Sequence, residues 1–191
     1  MTKFSSNLLK WFKTNGRHNL PWQENISPYR VWVSEIMLQQ TQVKTVIPYF
    51  KSFMERFPTI ESLSSANIDQ VLHLWTGLGY YARARNLHKT SIIVTTKFDG
   101  QFPNAVDELV SLPGIGRSTA GAILALSMNK KASILDGNVK RVLARFFLVR
   151  GWPEKTKVKN RLWEIADSNT PMTNFSQYTQ AIMDLGATVC K

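Results

Sequence analysis

Two acidic side chains in this chain sit in surroundings that would treat a proton differently. Glu35 lies within Pro28-Tyr29-Arg30-Val31-Trp32-Val33-Ser34-Glu35-Ile36-Met37-Leu38-Gln39-Gln40-Thr41-Gln42. In a helix, Val31, Trp32, Leu38 and Gln39 share its side at three- and four-residue offsets. Apolar company disfavours the charged form of a carboxyl, so its pKa rises toward the range useful for donating a proton. The plainer reading is a glutamate on the polar edge of an amphipathic helix. Asp136 lies within Ile134-Leu135-Asp136-Gly137-Asn138-Val139-Lys140-Arg141-Val142. It reads first as a helix N-cap, a role worth about 1 kcal/mol. A capping aspartate is also rigidly held, is expected to stay ionised, and can face a developing positive charge. Capping and catalysis do not exclude each other.

Two glycine turns accompany these acids. Leu112-Pro113-Gly114-Ile115-Gly116-Arg117-Ser118-Thr119-Ala120-Gly121 closes one helix and opens another at Arg117. Glycines let the backbone approach a ligand, and the helix start offers unpaired amides to an anion such as a phosphate. The stretch resembles the hairpin of a helix-hairpin-helix DNA-binding motif; the alternative is an ordinary turn between helices. The second turn is Leu74-Trp75-Thr76-Gly77-Leu78-Gly79-Tyr80-Tyr81-Ala82-Arg83-Ala84-Arg85-Asn86-Leu87. Here Tyr80 could wedge into a base stack while Arg83 or Arg85 holds phosphates. A core aromatic beside a solvated basic face is the competing view. The polar run Gln39-Gln40-Thr41 ends its helix with amides suited to base edges, or with plain surface.

The elements that must position these groups are helical. Apolar residues recur at three- and four-residue steps over 4–14, 28–39, 42–55, 68–75, 82–97, 105–111, 117–126, 137–148, 156–166 and 175–187, and the alternation of strands is absent. An all-α fold follows. The 191 residues include 24 Lys and Arg against 13 Asp and Glu, a formal charge of +11, which favours a polyanionic partner and salt-sensitive binding. No run of about 18 apolar residues and no signal-peptide pattern appears, so a membrane role is disfavoured and a cytoplasmic, nucleoid-associated protein is expected. With Cys190 as its one cysteine, the chain can form no internal disulfide.

Taken together the chain resembles the endonuclease III-like, helix-hairpin-helix DNA glycosylases, and within them the A/G-specific adenine glycosylases, the MutY family. The matching segments are Leu20-Pro21-Trp22, 34–42, 73–85, 112–122, 134–145 and Met183-Asp184-Leu185-Gly186-Ala187. The resemblance implies removal of adenine mispaired with guanine or 8-oxoguanine from double-stranded DNA, the base being flipped out before hydrolysis. By it, Glu35 matches the acid that protonates adenine, and Asp136 the carboxylate that stabilises the cationic sugar. The division of labour parallels that of glycoside hydrolysis. Gln39, Gln40, Thr41, Tyr80, Arg83, Arg85 and Lys140 would contact DNA, with Gln40 and Tyr80 entering the stack. Gly114, Ile115, Gly116, Arg117 and Ser118 would take a phosphate, and Trp22 and Gln180 would line the adenine pocket.

Bifunctional members carry a lysine nucleophile two residues after the second hairpin glycine; here that residue is Ser118, so monofunctional hydrolysis is implied. The alternatives are a pyrimidine-specific glycosylase and AP lyase of the endonuclease III type, and a non-catalytic DNA-binding remnant. The family holds a [4Fe–4S] cluster on four cysteines. Cys190 matches the first, and the other three are not in this chain, so a truncated sequence that cannot assemble the cluster alone is expected. The family also implies a monomer of two helical domains flanking a DNA cleft. The expected boundaries are 25–133 for the six-helix domain, with the hairpin at 112–121, and 1–24 plus 134–191 for the second.

Overall fold

The computed structural model describes residues 1–190. Among them there are helices and no strand. In chain order these are α1 (Lys3–Asn15), a 3₁₀ turn (Pro21–Gln23), α2 (Pro28–Leu38), α3 (Val43–Arg56), α4 (Ile60–Ser64), α5 (Ile68–Leu74), α6 (Ala82–Lys97), α7 (Val106–Val110), α8 (Arg117–Ser127), α9 (Gly137–Phe146), α10 (Thr156–Asn169) and α11 (Phe175–Thr188). None is long and apolar enough to cross a membrane.

The all-α expectation holds, and the ten helices read from periodicity are present with ends shifted by at most a few residues. Two elements had gone unread. Helix α4 starts from Thr59, whose hydroxyl accepts the Ser62 amide while the Ser62 hydroxyl accepts the Thr59 amide. That reciprocal cap is a short-range signal which the short apolar stretch of α4 did not amplify. The 3₁₀ turn begins at Pro21, where proline at the first position fixes φ, and the Gln23 side chain accepts the Leu20 amide at 2.9 Å.

The chain forms two compact units. One runs from Asn19 to Ala120; the other combines Met1–His18 with the chain from Gly121 onward. The sequence had placed these boundaries at 24/25 and 133/134. The first lies earlier because the 3₁₀ turn belongs with α2 and α3. Trp22 meets Phe50 edge-on at 5.5 Å, and Arg30 donates to the Pro21 and Glu24 carbonyls at 2.8 and 3.1 Å. The second falls inside α8, where Ala122 joins the apolar cluster of the unit that follows.

In the Asn19–Ala120 unit, Trp32, Met37, Phe50, Phe53, Phe57, Leu63, Trp75, Leu87 and Leu109 are completely buried. They fix the ends of α2 and α6, between which the candidate turns project. In the other unit α11 packs against α1 and α9. Phe4, Leu8, Phe12, Val139, Val142, Leu143, Leu162, Ile165, Tyr178, Ala181 and Ile182 form its core.

One buried charge organises this second core. Asp184 on α11 has 0% exposure. It accepts the Arg17 amide at 2.7 Å, Arg17 Nε at 2.9 Å and Arg17 Nη2 at 2.5 Å, and Gln180 Nε2 at 2.9 Å. A buried carboxylate is tolerated only when so fully satisfied. Asp184→Asn, nearly isosteric, removes the charge that faces Arg17 and puts an amide among its donors, and is expected to cost about 3 kcal/mol. Thermal denaturation will read this as a fall of several degrees in Tm.

Candidate active site and nucleic-acid interface

Asp136 is the N-cap of α9. Its Oδ1 accepts the Val139 amide at 2.8 Å, and its Oδ2 accepts Asn138 Nδ2 at 3.3 Å. Asn138 is itself held, because its Oδ1 accepts Arg141 Nη2 at 2.8 Å. The Arg141 guanidinium in turn reaches the carbonyls of Gly186 at 2.9 Å and Cys190 at 2.8 Å. Gly186 is glycine for a steric reason: a Cβ there would come within 2.6 Å of both the Asn138 Cβ and its carbonyl oxygen. The Leu-Gly-Ala end of α11 therefore braces the residue that orients Asp136.

Burial pushes the Asp136 carboxyl above the usual aspartate range. The Val139 amide, the Asn138 side chain and the positive charge of Arg141 oppose that rise. The cap thus sits under opposed influences: crowding favours the proton, and hydrogen bonds with a nearby cation favour the anion.

Glu35 lies on α2 and is partly buried. Val31, Trp32, Ser34 and Ile36 around it are nearly closed to solvent. Glu35 is thus a half-exposed position on a helix whose neighbouring positions face inward. Tyr29, from the same helix, closes its hydroxyl on the Phe57 carbonyl at 2.8 Å, and burial pushes its pKa further up.

The two turns proposed to enter DNA share an unusual backbone. Gln40 has φ +58° and Tyr80 has φ +51°. Both are exposed, Tyr80 at 61%. Left-handed conformations are disfavoured for residues with a Cβ, by about 1–2 kcal/mol, and persist where the surroundings enforce them. Gly77 and Gly79 before Tyr80 also have positive φ. A side chain at Gly77 would strike the Tyr49 hydroxyl, which donates to the Thr76 carbonyl at 3.0 Å. Gln39 and Thr41 are partly buried beside Gln40.

Arg83 departs from its expected role. Its guanidinium is turned inward onto backbone carbonyls and lies over the rings of Trp75 and Tyr80, at 5.6 and 5.2 Å. Those donors are not available to phosphates. Arg85, exposed two residues on, is the side chain of the pair left for that task. Lys140 is also engaged, in an ion pair at 2.5 Å with the exposed Glu154. Water competes for such a pair, which is worth at most about 1 kcal/mol, so a polyanion can displace Glu154.

The hairpin is fixed within its own unit. Gly114 has φ +79°, and a Cβ there would press on Asn86 of α6. Thr90, also on α6, donates to the Pro113 carbonyl at 2.9 Å, while Ile115 is buried. Gly116 has open space around its missing side chain, Arg117 is exposed and Ser118 is partly buried at the start of α8. Trp22 is largely buried against Phe50, and the Gln180 side chain gives its Nε2 to Asp184. Both have structural duties that the sequence reading had not assigned. Asn138 and Arg141 were missed as positioning residues. Their i, i+3 spacing on α9 was visible, but their link to Gly186 and Cys190 is purely tertiary.

Cys190 is the one cysteine, its side chain packed against the apolar cluster. Among the described residues no group of three or more His, Cys, Asp and Glu is placed to hold a metal ion. The residues present do not fit a [4Fe–4S] cluster, which needs four thiolates or equivalent ligands.

Residues 33–168 match the model of the HhH-GPD superfamily of base excision DNA repair proteins. The chain belongs to that superfamily. A relative named adenine DNA glycosylase, from Buchnera aphidicola subsp. Acyrthosiphon pisum, is 52% identical over 192 residues, covering 100% of this chain and 55% of that protein. The chain thus spans about half the length of the curated relatives it matches. Among solved structures, a thermostable thymine-DNA glycosylase superposes with TM-score 0.87 at 25% identity, covering 98% of this chain and 86% of that one. A non-covalent endonuclease III–DNA complex superposes at 0.80 with 21% identity, covering 98% and 85%. The HhH-GPD fold is therefore the one read from the sequence, and the residue-level similarity leans toward the adenine enzymes.

For this HhH-GPD chain the upward shift of Asp136 has a testable sign. A carboxyl whose folded pKa exceeds its unfolded value binds more protons when folded, so it costs stability above that folded pKa. The cost disappears as pH falls toward the unfolded value. Asp136→Asn keeps a capping side chain and removes the charge. Its Tm is expected to equal or exceed that of the unmodified chain near pH 8, with the difference shrinking toward about pH 4. Scanning fluorimetry across that range checks it.

Proposed function

We propose that this chain is a monofunctional adenine DNA glycosylase acting on adenine opposite 8-oxoguanine or guanine in double-stranded DNA. The observation that carries the reading is the 52% identity, over the whole chain, to a relative of that name. Glu35 and Asp136 supply the two carboxyls the reaction needs. In the reaction Glu35 donates a proton to the adenine ring, which makes the base a neutral leaving group. The bond from the sugar C1′ to adenine N9 breaks. Asp136, as the anion, stabilises the positive charge that grows on the sugar. Water adds to C1′ and loses a proton, leaving free adenine and an abasic site.

Ser118 has no amine with which to form a Schiff base, so the strand stays intact at this step. Gln40 and Tyr80 are proposed to enter the stack vacated by the adenine, and Arg85, Lys140 and the amides from Gly114 to Ser118 to hold phosphates. Trp22 and Gln180 are proposed to bound the adenine pocket. The protein is read as a monomer working on cytoplasmic, nucleoid DNA. A thymine-directed activity draws on the likeness to a thymine-DNA glycosylase structure, at 25% identity against 52% for the adenine enzyme.

Incubation with duplexes carrying adenine opposite 8-oxoguanine, adenine opposite guanine, or thymine opposite guanine tests this. Strand breaks are expected for the adenine duplexes, and only after alkali. Glu35→Gln should lower the single-turnover rate by at least about 10³-fold while duplex affinity stays within a few-fold. An active Glu35→Gln variant, or release of thymine in place of adenine, contradicts the proposal.

A further inference from the structure

We infer that Arg83 is a positioning residue that ties the two DNA-entering turns into one unit, and that nucleoside extrusion depends on this tie. The inference rests on the proposed reaction, since it assigns Gln40 and Tyr80 their task. Arg83 Nη1 donates to the carbonyls of Ile36, Met37 and Gln39 at 2.9, 3.0 and 2.5 Å. Nη2 donates to the carbonyls of Leu78 and Gly79 at 3.3 and 3.2 Å, and reaches the Thr41 hydroxyl at 3.4 Å. Ile36 and Met37 end α2, where carbonyls have no helical partner and a cation is favoured. One planar fork thus satisfies the end of α2 and the turn before α6 together.

The carbonyls chosen matter. Gln39 immediately precedes Gln40, and Gly79 immediately precedes Tyr80. Each left-handed residue therefore follows a peptide anchored to the same guanidinium. The Tyr80 ring lies 5.2 Å from the Arg83 guanidinium carbon, and Trp75, completely buried, adds a third tether by donating Nε1 to the Gly79 carbonyl at 3.0 Å. Rigid presentation is what a wedge requires, because unstacking a base step costs a few kcal/mol that a yielding turn cannot transmit. Lysine retains the charge but has no fork, and cannot hold both carbonyl sets at once.

Arg83→Lys is the test, with folding checked by circular dichroism. Hydrogen exchange in residues 36–42 and 76–82 of the free protein is expected to rise together by roughly tenfold, with α9 and α11 unchanged. Single-turnover adenine release is expected to fall by about tenfold or more. Affinity for undamaged duplex and its salt slope should stay as they were. Loss of that affinity with a slope lower by about 0.9 would make Arg83 a phosphate ligand and overturn the inference. So would faster exchange with unchanged release, or no change in exchange.

Should Arg83→Lys fail to fold, the exposed Gln40→Ala and Tyr80→Ala variants carry the test. Their double variant is expected to lose less than the product of the two single fold-losses, whereas a simple product contradicts the tie. If the unmodified chain releases no adenine from any duplex, the reaction reading fails separately. The tie is then judged by exchange and by preference for mispaired over matched duplex.

Discussion

At the start of α9 the Val139 amide reaches 2.8 Å to Asp136 Oδ1, and Asn138 fixes the other carboxylate oxygen. Crowding there favours a protonated acid, whereas two donors and the charge of Arg141 favour the anion. Helix capping supplies the first donor at no extra cost, since the first-turn amides of any helix lack partners. Much else follows from keeping that arrangement. Arg141 spans from Asn138 to the carbonyls of Gly186 and Cys190, and Gly186 allows α11 to sit against Asn138. The buried Asp184 with Arg17 then fixes α11 from its other side. A catalytic proposal for one carboxylate thereby acquires a chain of named supports.

The cationic character of the chain divides into structural and surface parts. Its formal charge of +11 invites the view that each arginine near a glycine turn meets DNA. Arg83, Arg141 and Arg17 do otherwise: they place guanidinium groups on backbone carbonyls or a buried carboxylate. Planar, persistently charged side chains suit such work, since they satisfy several oxygens from one position. Arg85, by contrast, is exposed at the surface, where a polyanion can reach it. Net charge reports the class of partner, but only tertiary placement reports which cations meet it.

Helix positions and the cap at Asp136 were legible because both are local: a 3.6-residue period and an Asp-Gly start need no distant contact. The hairpin was legible for the same reason, the left-handed turn at Gly114 being a local backbone requirement. Helix α4 was missed because five residues give too little periodicity, although its Thr59–Ser62 cap was present. The domain boundary within α8 was invisible, as a continuous helix shows no break in pattern. The inward turn of Arg83 was hidden for a related reason: besides Leu78 and Gly79, it joins partners 42 to 47 residues away on α2 and the turn after it. The residue pattern around it does not separate it from Arg85; only its placement does. Gln180 and Trp22 carry contacts with Asp184 and Phe50 that only packing discloses.

The account turns on Asp136 acting as an anion that its neighbours maintain against burial. The direct measurement is the pH dependence of single-turnover adenine release for the unmodified chain and for Asn138→Ala. Activity should fall on the acid side at a pH above the ordinary aspartate range of about 3.9. Removing the Asn138 donor should move that limb further upward. An acid limb that stays in place in Asn138→Ala would contradict it, as would full activity for Asp136→Asn.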